Sequence, residues 1–113
     1  MSRFNRLPEF EKEFSKLSKK YPSLPVDLKK LERLIALKPV GFGTNFVTIH
    51  HGSTVKIVKT RLACKSLRNR SIRIIYAYHE HITTFVHIEI YFKGNKENED
   101  RGRIEEYLKG LSD

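Results

Sequence analysis

Acidic residues are missing from the middle of this chain. From Arg33 to His79 there is no Asp or Glu, against nine Lys and Arg. Residues 1–32 hold eight basic and five acidic residues and residues 80–113 hold five and eight, so much of the net charge of +9 belongs to the middle. Such a field attracts RNA, DNA, acidic lipid or acidic protein without choosing among them. Cysteine is also scarce. Cys64 stands alone, which excludes an internal disulfide, and its strand-like neighbours make it a small buried hydrophobe. A reducing cytosol suits such a chain. No apolar run approaches the ~20 residues of a membrane span, and the N-terminus has no apolar signal-like region. The expectation is a cytoplasmic protein with no membrane partner. The five histidines include His50-His51 and the pair His79-x-His81. No Cys or carboxylate cluster completes a ligand set around them, so neither a metal nor a cofactor is expected. Repeats, low-complexity segments and the aromatic stripe of an RRM or OB nucleic-acid module are absent too.

What is present is one domain, residues 1–113, long enough for a single core. Phe10, Phe14, Leu17 and Tyr21 recur at helical spacing, with Pro8, Glu9 and Glu11 suited to the first turn and Pro22 as the stop. A second helix is predicted from near Pro25 and Asp27, with the face Leu28, Leu31, Leu34 and Ile35, ending before Pro39 and Gly41. The short joint between them predicts an antiparallel helical hairpin. Residues 41–53 read as a loop with a short strand at Phe46–Ile49. Strand patterns follow at about 54–65, 71–79 and 83–92, with His79-Glu80-His81 as a tight turn. The short connections make this meander antiparallel. Ile104, Tyr107, Leu108 and Leu111 predict a C-terminal helix with Asn98 as its cap, weakened by Gly102. The expected fold is α+β: a helical hairpin on a three- to four-stranded antiparallel sheet, then a C-terminal helix.

Seven of the nine cations fall in one stretch: Lys56, Lys59, Arg61, Lys65, Arg68, Arg70 and Arg73. Val55, Ile57, Val58, Leu62, Ile72, Ile74, Ile75 and Tyr76 are woven through it, so the charge is fixed on a β scaffold rather than on a floppy tail. Alternation along strands gives Val58, Thr60, Leu62 and Cys64 to the core. It does the same for Ile72, Ile74, Tyr76 and Tyr78, and for Val86, Ile88, Ile90 and Phe92. Lys59, Arg61, Arg73, His87, Glu89 and Tyr91 are then left on the opposite surface. These types bind phosphate, neutralise a phosphorane and move protons. A solvated sheet face with no specific task has the same pattern.

The motifs Val58-Lys59-Thr60-Arg61-Leu62, Ser71-Ile72-Arg73-Ile74-Ile75-Tyr76 and the exit Tyr91-Phe92-Lys93-Gly94 resemble the RelE/ParE superfamily of bacterial toxins, over about Pro8 to Leu108. The resemblance implies a toxin neutralised by a cognate antitoxin. RelE-like members enter the ribosomal A site and cleave mRNA there, so ribosomal RNA and mRNA are the implied partners. The family's basic strand residues match Lys59 and Arg61, and its later Arg matches Arg73. Its basic residue at the exit of the last strand matches Lys93 or Lys96, and its late acid or aromatic group matches Tyr91 or Tyr107. The family usually begins with a strand, whereas Arg3–Leu7 is short and polar.

The implied activity is a metal-independent endoribonuclease in which the mRNA 2′-OH attacks its own 3′ phosphate. Arg61 and Arg73 would stabilise the transition state with help from Lys59. Lys93, Tyr91 or His87 would protonate the leaving 5′ oxygen, and Lys56, Lys65, Arg68, Arg70 and Lys96 would hold RNA. ParE-like relatives share the fold, poison gyrase and cleave nothing. A non-catalytic binding protein is therefore the alternative, either such a gyrase inhibitor or a degenerate toxin.

Overall fold

The computed structural model describes residues 2–68 and 70–111, with the side chains of residues 70 and 71 excepted. The chain is α+β, with three helices and a five-stranded mixed sheet among these residues. In chain order the elements are β1 (Arg3–Arg6), α1 (Pro8–Lys20), α2 (Leu24–Leu37), β2 (Phe46–His51), β3 (Val55–Cys64), β4 (Arg70–His79), β5 (Thr84–Phe92) and α3 (Arg101–Leu111). The sheet order is β1-β5-β4-β3-β2.

Local chemistry accounts for most of these bounds. Helix α1 starts at Pro8, whose missing N–H costs nothing there, and places Glu9 and Glu11 at its positive end and Lys19 and Lys20 at its negative end. Its Phe10 and Phe14 are buried. Helix α2 buries Leu24, Leu28, Leu31 and Ile35 at spacings of four, three and four. Both faces join one core with Val58, Leu62, Cys64, Ile72, Ile74, Tyr76, Phe85 and Ile90 of the sheet. Asp27 is buried in the first turn of α2, where its carboxylate accepts from Ser23 Oγ (2.7 Å) and from the Lys65 N–H (3.0 Å). It thereby ties the start of α2 to the turn after β3. Cys64 is free and fully buried, as its sequence context predicts.

Two strand features correct the sequence reading. Arg3–Arg6 does form a strand, and it runs parallel to β5, pairing Arg3–Arg6 with Thr84–His87. The sheet is thus five-stranded and mixed rather than three- to four-stranded and antiparallel. Second, β5 carries a bulge. Ile75 pairs with Glu89 but Tyr76 pairs with His87, so Ile88 is the extra residue. The bulge splits the apolar face expected for β5. Ile90 joins the core beneath α1 and α2, while Ile88 lies in a second core with Val55, Ile57, Ile75, Ala77 and Ile104 of α3. The C-terminal helix also starts later than expected. Asp100, not Asn98, caps it, its Oδ1 accepting from the Arg103 N–H at 3.0 Å.

A short 3-10 turn closes each long ribbon, Lys65–Leu67 after β3 and Glu80–Ile82 after β4. Arg68 and Thr83 follow in the left-handed region, with φ of 54° and 47°. Gly94 is needed at the exit of β5, because a Cβ there would come within 2.4 Å of the Phe92 ring.

Candidate phosphate-binding site

The second face of the sheet is divided. Helix α3 covers the end formed by Val55, Ile57, Ile75, Ala77 and Ile88 through Ile104. Beyond it, toward the β3–β4 turn, lie Lys59, Arg61, Arg73 and Tyr91. Cross-strand register sets their spacing: Arg61 stands opposite Arg73 and Arg73 opposite Tyr91.

Arg61 and Arg73 form a like-charge pair directly across two strands, an arrangement that destabilises a sheet in isolation. Arg61 is exposed. Arg73 is only 6% exposed, and its buried Nη1 hydrogen-bonds no described residue. Burial first, and then the charge of Arg61, push its pKa below the usual guanidinium value. Tyr91 beside it is buried, and its hydroxyl makes no hydrogen bond of ordinary geometry to a described residue. Burial raises the Tyr91 pKa, against the pull of the nearby Lys59 ammonium. The phenol therefore keeps its proton at neutral pH. A concentration of donors without acceptors is what an anion would complete.

Carboxylates reach this face from outside the acid-free stretch. Glu99 Oε1 accepts from Lys59 Nζ at 2.9 Å and Glu99 Oε2 lies 3.2 Å from Arg101, with the Glu99 side chain 3% exposed. Burial raises the Glu99 pKa, but the hydrogen bond and charge of Lys59 outweigh this and hold it below the usual carboxylate value. The same hydrogen bond raises the Lys59 pKa. Glu89 pairs with Lys96 and accepts from the Asp100 N–H at 2.7 Å. Lys96 in turn lies over the Tyr91 ring, 5.5 Å from its centroid. The acidic balance of residues 80–113 was the one sequence signal for these countercharges.

The structure brings together Lys59, Arg61, Arg73, Tyr91 and Lys96, and it separates others from them. His87 is the main correction. Beyond the bulge it turns to the opposite face, where it is fully buried, stacks on Phe10 at 5.0 Å and bonds Glu32 Oε2 at 2.9 Å. Tyr107 bonds His79 at the far end of β4, about 20 Å along the strand from Arg73 at ~3.3 Å per residue. Lys93 is exposed at the turn leaving β5. Lys65 and Arg68 are exposed at the β3–β4 turn, and Lys56 pairs with Glu80 at the other end of β3. The Arg70 side chain lies outside the described residues. No group of His, Cys, Asp or Glu that could hold a metal ion occurs among the described residues, and no described helix is long and apolar enough to cross a membrane. No protein-family model, curated protein or solved structure matches this chain.

Proposed function

We propose that this chain is a RelE-like toxin that cleaves mRNA on the ribosome without a metal, held in check by a cognate antitoxin. The observation that carries the reading is the Arg61–Arg73 pair, with Arg73 Nη1 buried and unpartnered beside the protonated Tyr91. The strand β1 before α1 supports it, because the family usually begins with one. The placing of α1 and α2 on one sheet face accords with the helical arrangement that the resemblance implies.

In this mechanism the mRNA 2′ oxygen attacks the adjacent phosphorus and loses its proton to solvent or a ribosomal base. The P–O5′ bond breaks, leaving a 2′,3′-cyclic phosphate and a 5′-OH. Arg61 and Arg73 balance the charge that builds on the phosphorane, a role worth ~10²–10³ in rate per donor. Tyr91 keeps its proton and can give it to the leaving 5′ oxygen. Lys59 adds positive charge behind them, and the exposed Lys65 and Arg68 hold RNA in a salt-sensitive way.

Induced expression with mapping of mRNA ends tests this. Wild type should arrest translation and cut messages, and a folded Arg73→Ala variant should do neither. One observation favours the non-catalytic alternative: Lys59 and Lys96 are each held by a glutamate. A gyrase-inhibiting or degenerate relative would leave messages intact, and Arg73→Ala would leave its effect unchanged.

A further inference from the structure

Strand β1 covers only the first half of β5. It ends at the pairing of Arg6 with His87, followed by the Leu7 N–H to His87 O bond at 3.0 Å. Past that point α1 stands off from β5, and a groove of about 340 Å³ lies between them. That is at the small end of ligand pockets, about 300–1,000 Å³.

One end of the groove is closed by Arg103. It holds Glu13 of α1 with both terminal nitrogens, at 2.8 and 2.9 Å, and donates to Ile88 O at 2.9 Å. The floor is apolar, made by Leu17, Ile90 and Phe92. Lys16 and Lys20 stand exposed on its rim, and neither forms an ion pair with a described residue. The two acids in the lining are already neutralised, Glu13 by Arg103 and Glu89 by Lys96. Asn95 adds an exposed amide. The other end is Tyr91, which also faces Arg73 across the strands. The groove therefore continues from the phosphate site.

We propose that this groove is a nucleobase subsite, taking the base of a nucleotide next to the phosphate held by Arg61 and Arg73. The proposal rests on the reading of that site as an RNA site. An apolar floor suits the face of a base, the Asn95 amide suits its polar edge, and unpaired lysines suit the flanking phosphates. An acidic peptide would also meet the lysines, but the flat apolar floor and the shared Tyr91 favour a base.

The test uses the isotope-labelled protein and a 2′-O-methyl trinucleotide, which lacks the nucleophile and cannot be cut. Amide shifts are followed at Arg61 and Arg73 and, separately, at Ile90, Phe92 and Asn95. The intact trinucleotide should move both sets. Making one position abasic should silence the second set and weaken binding about 5- to 150-fold, while the first set still moves. If only the Arg61 and Arg73 amides respond, with no dependence on a base, the subsite is overturned and the phosphate site stands. If neither set responds, the RNA reading fails with it. If a short oligoglutamate moves the groove amides and the trinucleotide does not, the groove is a peptide site and the proposal is wrong.

Discussion

Arg73→Met should make the protein more stable and less able to bind phosphate. In the folded chain the guanidinium is buried, sits opposite Arg61, and leaves Nη1 without a described partner. An unsatisfied buried donor costs ~1–3 kcal/mol, and more where it is charged. A like-charge cross-strand pair adds a few tenths to ~1 kcal/mol. Methionine keeps a similar unbranched stem in contact with the sheet and removes both penalties, at the loss of whatever the remaining guanidinium nitrogens gain. A net gain of ~1–2 kcal/mol is expected, which at ~4 °C per kcal/mol for a chain of this size raises Tm by about 4–8 °C. Thermal unfolding by circular dichroism reads this directly. Added phosphate should raise the Tm of wild type, since a ligand at 100 times its Kd contributes ~2.7 kcal/mol, and should leave the variant unmoved. A variant less stable than wild type by 1 kcal/mol or more would show that Arg73 is already satisfied in the fold, and the argument for an anion site would collapse.

Other consequences are separable from that one. His87→Gln should cost ~1–3 kcal/mol of stability, through the lost stacking and a disturbed bond to Glu32, yet leave cleavage by the folded fraction within about twofold. A loss of activity at full folding would return His87 to the site. Because the Glu99 pKa is lower folded than unfolded, its contribution to stability is complete above 4.5 and fades as pH falls through the folded value. Denaturant titrations of Glu99→Gln across that window should show a flatter pH dependence than wild type. Thr83, a β-branched residue at φ of 47°, should gain ~1 kcal/mol on replacement by Gly, and a loss would contradict the strained turn. His79 titrates below its usual value because it is buried, so stability should rise with pH up to about 6.5. Absence of that slope in urea midpoints would place His79 in solvent.

The parts that were legible in the sequence are those governed by local rules. Prolines 8, 22 and 39 bracket α1 and α2, and alternation places Val58, Leu62, Ile72 and Ile74 in the core. Lys59, Arg61 and Arg73 were put on one face because no bulge intervenes between β3 and β4. What was missed depends on pairing between distant segments. The run Phe85–Phe92 alternates so regularly that nothing in it marks Ile88 as an extra residue. The bulge exists because β4 and the two cores on either side demand it, and it moves His87 to the other face. The strand at Arg3–Arg6 is short and polar, and forms because β5 offers it an edge. Glu99 reaches Lys59 across 40 residues, so a count of charges could suggest such a partner but not which acid it is.

The central claim is tested most directly with purified protein, ribosomes stalled on a defined mRNA, and analysis of the product ends. Wild type should cut the message only when it is on the ribosome, leaving a 2′,3′-cyclic phosphate and a 5′-OH, and Arg73→Ala should slow this by ~10²–10³. A folded wild-type protein that leaves the message whole, or an Arg73→Ala protein that cuts it as fast, would contradict the account.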